Sequence, residues 1–482
     1  MKVYFYTLIL LATTLAGYAQ TAYKDFEVDS AARPVGGLPL LEKFIAVNRR
    51  LPYTAEVDRI KGVVILSGVV EPNGTVSEVK TLRSLRPDCD REAIRVLSGF
   101  NAWKPAIKDG QPVRQQFTYT IRFAPTVTQK SEPGAITTYY SKEGHQLSEE
   151  AQAVFKLVTP VDSLGLPNGN PILSRREGAD WKKTFENKFE KKPVMHPNTD
   201  DPSQPDSIQY HLLSIKDAIF QTLNGTIYSL YPDGTLMARE SYVDGKIGGE
   251  SVYYFRNGLV KRVEERLQDG RTQEWSWYEN GQLQQVSGRK PVPMKADESE
   301  LFSQWDKKGN PLVTAGNGTA HFQSKHDQKW IRETGLIKDG RKEGIWYGRF
   351  EDGQVFYRES YRQGTCLSGT AFYGPDSVTY TEPWHNPEFK GGMQGLGNFL
   401  SSNIHYPEPA SKANIEGKVF VSFVVCEDGS LCNYEILRSV HPIVDQEALR
   451  VVKASNGKWK PGSVRGRKVR VKYNLPVNFQ LQ

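Results

Sequence analysis

Cysteine is scarce in this chain: Cys89, Cys366, Cys426 and Cys432 are the four in 482 residues. So few cannot form a disulfide framework for a protein of this size. No two of them have the Cys-x-x-Cys spacing of a zinc site. Histidine is also rare, with eight residues. His321 and His326 stand five apart, not at the i, i+4 spacing that places two imidazoles on one helix face. No metal site is expected. A Gly-x-Ser-x-Gly nucleophile elbow is missing. The run Gly391-Gly392…Gly395…Gly397 lacks the Gly-Lys-Ser/Thr ending of a phosphate loop and follows no strand. Carboxylates of the central region alternate with Lys and Arg, as solvated faces do. The chain is therefore read as having no catalytic residues and no cofactor, and not as an enzyme.

Long apolar runs are missing too, except at the N-terminus. Met1-Lys2 precedes an apolar run from Val3 to Leu15, then Ala16-Gly17-Tyr18-Ala19-Gln20. One positive charge, a short apolar core and small residues at a cleavage point describe a secretory signal, residues 1–19, cut after Ala19. The competing reading is an uncleaved inner-membrane anchor, but the run is short against the ~20 residues that span a bilayer. A periplasmic location follows. In an oxidising compartment Cys426 and Cys432 are a candidate disulfide: their even spacing about Asp428-Gly429 sends both side chains to one sheet face. Two unpaired thiols are the alternative.

What the chain has in plenty is Gly (42), Tyr (23) and Phe (21), a mix that favours sheets with tight turns. The formal net charge of +7 is unevenly placed. Residues 36–123 hold fourteen Lys/Arg against nine Asp/Glu, and residues 388–482 thirteen against eight, so each end carries +5 and the remainder about −3. Basic ends suit anionic surfaces, and export argues against nucleic acid.

The two ends also repeat one another. At an offset of 355, Gly36-Gly37 meets Gly391-Gly392, Gly62 meets Gly417, Gly74 meets Gly429, Asp90 meets Asp445 and Ala93 meets Ala448. At 356, Trp103-Lys104-Pro105 meets Trp459-Lys460-Pro461, and Phe123 meets Phe479. A compensating two-residue shift is read near Tyr53 and Tyr406. In the C-terminal copy a helix is expected from Met393 to Ile404, ended by Tyr406-Pro407. A buried strand from Lys418 to Val425, an Asp428-Gly429 hairpin turn and a return strand from Asn433 to Arg438 follow. A helix from Pro442 to Lys453 and a half-exposed strand from Lys468 to Tyr473 complete the unit.

Phe389-Lys-Gly391-Gly392, Tyr406-Pro407, Gly417-Lys-Val, Asp428-Gly429, Asp445-x-Glu-Ala448 and Trp459-x-Pro461 together resemble the C-terminal domain of TonB energy transducers. The N-terminal copy is divergent, with Leu51-Pro52-Tyr53 reversing the Tyr-Pro order. The resemblance implies recognition rather than catalysis: a segment of a TonB-dependent outer-membrane transporter adds a strand to the sheet edge. It points to Val469, Arg470, Val471, Lys472 and Tyr473 as the partner-binding edge. Charge there also serves to protect an edge strand from aggregation. The family further implies an inner-membrane motor of the ExbB/ExbD type, and a homo-oligomer is open. A transducer proper would have a membrane helix and a Pro-rich spacer, where this chain has a signal-like N-terminus and a folded middle. An exported interaction protein binding other envelope partners is the alternative.

Between the copies, residues 125–219 read as linker and irregular structure, with helices expected over Glu149–Leu157 and Trp181–Phe189 and a surface loop over 191–206. From 220 to 380, Tyr231-Pro-Asp-Gly234, Tyr254-Phe-Arg-Asn-Gly258 and Tyr278-Glu-Asn-Gly281 recur with Asp244-Gly245, Asp269-Gly270, Asp339-Gly340, Asp352-Gly353 and Gln363-Gly364. This resembles MORN-like repeats of the YwqK type, hairpins stacked in a β-meander. The fold expected is thus α+β modules, each an antiparallel three-stranded sheet with helices, over 33–124 and 386–482, flanking an all-β repeat region. N-terminal sequencing of the exported protein is expected to begin at Gln20; a chain that keeps Met1 overturns the cleaved signal.

Overall fold

The structure, a computed structural model, describes residues 22–481 except 127–128, 143–145, 187–188, 197–206, 214–224, 244–245, 248, 268, 291–297 and 327–328. The expected signal segment and the Asp244-Gly245 turn lie outside the described residues. The chain divides into two compact units between Thr314 and Ala315. Strands dominate both.

In the second unit, the C-terminal module runs helix Gly392–Asn403, short helix Glu408–Lys412, strands Gly417–Val425 and Leu431–Arg438, helix Pro442–Ala454 and strand Val471–Phe479. The β-branched run of Gly417–Val425 is the central strand, antiparallel to Leu431–Arg438 on one side and to Val471–Phe479 on the other. Alternate residues Val419, Val421, Phe423 and Val425 point to one face and are fully buried, as are Val444, Ala448, Val451 and Val452 from helix Pro442–Ala454. Each of these valine and phenylalanine side chains contributes about 1.5–3 kcal/mol on leaving water. Proline at the first helical position suits the start of Pro442–Ala454. His441 Nδ1 accepts from the Ile443 amide there.

One contact fixes how the hairpin meets the rest. Gly429 has φ +84°, and a Cβ there would lie 2.4 Å from the carbonyl oxygen of Trp459. Only glycine allows both the backbone sign and the approach. Trp459 is buried, its Nε1 donates to Ser455 Oγ at 3.1 Å, and its ring meets Phe389, Phe423 and Tyr473 edge-on. The first unit repeats the arrangement. A Cβ on Gly74 would lie 2.3 Å from the Trp103 oxygen, and the Trp103 amide donates to the Gly74 carbonyl.

The N-terminal module has the same order, with a sheet of Val76–Arg83, Gly62–Val70 and Gln115–Phe123 and helices Leu38–Asn48 and Pro87–Ser98. The expected two-residue shift at Tyr53 is not there. Pro52 and Pro407 each precede a five-residue helix, and Ala55 and Ala410 are both fully buried, so the 355 offset holds through this segment. Leu51 therefore takes the place of Tyr406. Tyr53 belongs to another contact, its hydroxyl donating to the Ala135 carbonyl at 3.3 Å. Within this unit the helices also pack on strands Glu250–Tyr254, Val260–Arg266 and Thr272–Trp277. Leu41 and Phe44 share a core with Val252, Leu259, Val260 and Trp277, and the buried Asn48 accepts from the Val260 amide at 2.6 Å.

The middle corrects the sequence reading. Neither expected helix forms: turns lead from Glu149 into strand Phe155–Pro160, and strand Asp180–Glu186 takes the second stretch, in a sheet with Ala135–Tyr140 and Ile172–Glu177. Phe155 and Leu157 are buried while Lys156 between them is not, the period of two that marks a strand. Part of the expected 191–206 loop is likewise the strand Glu190–His196. The linker region is thus largely sheet. Further on, Tyr231, Phe255, Tyr278 and Phe350 each close the same turn, the amide donating to the carbonyl four ahead and the carbonyl accepting from the glycine three ahead. Tyr231 and Tyr278 hydroxyls reach forward to the Tyr254 and Trp305 carbonyls at 2.9 and 3.0 Å. The recurrent tyrosines thereby tie one hairpin to the next.

Gly429→Ala is expected to cost about 3 kcal/mol, against about 1 kcal/mol for Gly457→Ala, which has the same backbone sign but open space around it. Urea unfolding of the two variants checks this; equal losses would remove the Trp459 contact as the cause.

Candidate functional site

The candidate edge is built by the last strand of the C-terminal module. The expected continuous strand through Val469–Tyr473 is instead two pieces. Arg467–Val469 pairs with Gly462–Val464 in a small separate sheet, and Val469 faces Gly462 there. Arg470 is the corner. Val471 opens the outer strand of the main sheet, which runs on to Phe479, further than the alternation of Lys468–Tyr473 suggested. Pro476 obscured that continuation, because a proline lowers the expectation of a strand.

The five expected residues therefore have different positions. Val471 and Tyr473 turn inward, with the Tyr473 ring 4.9 Å from Trp459 and 5.6 Å from Phe423. Burial raises the Tyr473 hydroxyl above its ordinary range. Lys472 is exposed and its Nζ lies 3.3 Å from Glu435, an exposed pair of little energetic weight. Arg470 donates to Cys432 Sγ at 3.3 Å. Cys426 and Cys432 are thiols, with their sulfurs 2.9 Å apart in a hydrogen bond.

Backbone direction decides what this edge can offer. In the N-terminal module the Tyr23 amide donates to the Arg114 carbonyl, and the Gln116 amide donates to the Tyr23 carbonyl. Arg114 and Gln116 thus turn their backbone groups outward. They correspond to Arg470 and Lys472, and alternation extends the outward set to Asn474 and Pro476. Pro476 fits within an unbroken register opposite Phe420 because its nitrogen faces away from the partner strand. It also breaks the row of outward N–H donors between Asn474 and Asn478.

The other motif residues hold the scaffold. Gly391 precedes the first helix with φ +90°, Gly392 opens it, and Gly417 opens the central strand. Tyr406 donates to the Ile415 carbonyl at 2.5 Å, and Pro407 caps the short helix. Asp428 Oδ1 accepts from the Ser430 amide at 2.9 Å. Pro461 links the Trp459–Lys460 and Gly462–Val464 strands. Asp445 accepts from the Val440 amide at 3.0 Å and from Ser439, while Glu447 accepts from the His405 amide at 2.6 Å and from Arg450 at 2.7 Å. Asp90 and Glu92 repeat both sets on Leu85 and Arg50.

Arg465 was not singled out from sequence. It sits at the turn before Arg467–Val469, stacks 3.6 Å over the Tyr357 ring and donates to Glu359 at 3.0 Å. Glu359, buried, also accepts from Tyr361 and Tyr380. Burial pushes all three tyrosines upward, with Glu333 beside Tyr357 and Glu359 beside the other two adding to it. This cluster anchors the hairpin that leads into the edge. No local signal could have revealed a contact between residues so far apart in sequence. Among the described residues, no helix is long and apolar enough to cross a membrane, and no group of His, Cys, Asp or Glu could hold a metal ion.

A three-stranded antiparallel sheet backed by helices, with a row of outward backbone groups on its last strand, defines a small module present twice. Residues 47–125 and 402–481 match the C-terminal domain of the Gram-negative bacterial TonB protein, so the chain carries two domains of the TonB C-terminal family. Two solution structures of the Helicobacter pylori TonB C-terminal domain are each 26% identical to this chain. They cover 19% and 18% of it and 80% and 91% of their own lengths, with TM-scores of 0.17 and 0.16. No curated protein matches the chain. The family places the protein among TonB-like proteins of cell-envelope transport.

The hydrogen bonds of Glu447 carry a pH signature. Burial raises its carboxyl, but Arg450 and the His405 amide outweigh this and hold it below the usual range. Its contribution is therefore full above the unfolded value of about 4.3 and is lost as pH falls through the lower folded value. Glu447→Gln is expected to lose about 2 kcal/mol at neutral pH and to flatten the fall in stability on acidification. Denaturation at neutral pH and near pH 3 checks it; an unchanged acid slope would overturn the assignment.

Proposed function

We propose that the C-terminal module receives an extended segment of a TonB-dependent outer-membrane transporter as a fourth strand on its Val471–Phe479 edge, and through it takes part in energy-coupled transport from the periplasm. The observation that carries this reading is the outward backbone row at Arg470, Lys472 and Asn474, on a strand that pairs only on its inner side among the described residues. Backbone pairing would supply affinity, and Arg470 and Lys472 would favour an acidic segment. Val471 and Tyr473 shape the strand from below rather than meeting the partner. The modules act by recognition, not catalysis.

The N-terminal module is the poorer receiver. Its equivalent positions, Arg114 and Gln116, already hydrogen-bond to Tyr23 of the same chain, and the Lys108 ammonium lies 4.1 Å over the Tyr23 ring. Partner binding is accordingly assigned to residues 386–482.

Asn474→Pro tests the proposal. It removes one outward N–H from the edge while leaving the inward bonds to Gly417–Val425, as Pro476 does already. Synthetic peptides copying the periplasmic N-terminal segments of TonB-dependent transporters are expected to bind the full chain about tenfold more weakly after this change. The circular dichroism should be unaltered. Equal affinity, or no peptide bound by the unmodified protein, would sink strand addition at this edge.

A further inference from the structure

The two modules differ sharply at one place, the hairpin end beside the start of the outer strand. In the N-terminal module three residues meet there. Arg114 grips Glu71 through two hydrogen bonds of 2.9 Å, and the Ser77 hydroxyl donates to the same carboxylate. The hydrogen bond from Arg114, ahead of a smaller effect from Ser77, holds the Glu71 carboxyl below its usual range. This is a permanent polar lock joining strand Gly62–Val70, strand Val76–Arg83 and the head of Gln115–Phe123. In the C-terminal module the same positions, at offsets of 355 and 356, hold Cys426, Cys432 and Arg470. The surrounding backbone is retained: Glu78 and Asn433, the next residues, both have positive φ, and both hairpins shift register at matching points.

We propose that Cys426 and Cys432 form a reversible redox lock, an intramolecular disulfide made within the folded C-terminal module where the N-terminal module has its Glu71–Ser77–Arg114 lock. Both thiols are partly exposed and already in contact, with Sγ atoms 2.9 Å apart. The other two cysteines are each alone, and burial raises their thiols to about 11. Cys426 is raised chiefly by its hydrogen bond with Cys432. Cys432, whose sulfur accepts from the Arg470 guanidinium at 3.3 Å, is the attacking sulfur.

The oxidant is a small-molecule or protein disulfide. Cys432, as thiolate, attacks one of its sulfurs, forming a mixed disulfide and expelling one thiolate, which takes up a proton. Cys426 then gives up its proton and attacks Cys432 Sγ, expelling the second thiol. Two protein thiols lose two electrons and two protons, and the oxidant disulfide becomes two thiols. Arg470 supports the first step by position, then loses its sulfur partner. In the oxidised form its guanidinium stands unclaimed by the cysteine at the head of the outer strand. That last consequence rests on the transporter-binding reading only if a partner meets Arg470; the bond itself needs no partner.

The test uses the full native chain treated with oxidised glutathione, followed by unfolding, alkylation and peptide mass mapping. The expected product has a Cys426–Cys432 link, alkylated Cys89 and Cys366, and no retained glutathione. Its urea midpoint is higher than that of the reduced protein and returns on adding dithiothreitol. Cys426→Ser should instead keep glutathione on Cys432, and Arg470→Ala should slow bond formation several-fold without changing the final product. Four alkylatable thiols after treatment, or glutathione retained on both Cys426 and Cys432, would overturn the proposal. Since none of these readouts involves a transporter, failure of strand addition and failure of the redox lock are told apart.

Discussion

The module rests on the approach of a glycine to the backbone of a tryptophan. Gly429 must be small and left-handed to lie against the Trp459 carbonyl, and that approach sets the height of the hairpin over the rest of the sheet. The Trp459 ring then fills the space between Phe389, Phe423 and Tyr473. It therefore links the entry segment, the central strand and the outer strand in one contact set. Aromatic pairs of this kind add about 0.5–1.5 kcal/mol each beyond burial. The same glycine and tryptophan recur in the first unit as Gly74 and Trp103, where the approach is equally close. Two modules that diverged at Tyr406, Cys426 and Cys432 have kept this contact.

Much of the scaffold was legible because its signals are local. Proline before a helix, an Asp-Gly turn and a β-branched run each act through neighbouring residues, so the helices and the central hairpin of the C-terminal module lie close to where the pattern puts them. The glycine and tryptophan spacings likewise revealed the duplication. What the pattern missed depends on distance. The stretches 149–157 and 181–189 were read as helices, although Phe155 and Leu157 alternate as a strand does, and pairing with Ala135–Tyr140 fixes that strand. The apparent shift at Tyr53 came from matching tyrosine to tyrosine. Burial of Ala55 and Ala410 at one offset shows that the prolines are the true equivalents.

The candidate edge was legible as a stretch of sequence but not as a surface. Alternation in Lys468–Tyr473 suggested one strand, whereas Arg467–Val469 pairs with Gly462–Val464 and only Val471 onward joins the main sheet. Which backbone groups face outward is invisible in the side-chain pattern, and here it came from the Tyr23 contact in the other module. The anchoring of the preceding hairpin by Arg465 on Tyr357 and Glu359 has no sequence signature at all. Duplication compensates for such blind spots, since each copy serves as a comparison for the other under the same fold.

Pro476 has a mechanical side. The outer strand is held to its neighbour over nine residues, from Val471 to Phe479. On its far side the outward donors are interrupted at Pro476, between Asn474 and Asn478, so a segment laid there would pair through a broken ladder. Under a pull along the strands, such an interrupted ladder would shear first. The joint would give way while the domain stays folded, and the strand could be taken up again by the next segment to arrive. A single imino acid would thus set the breaking load of that joint below the strength of the module that bears it.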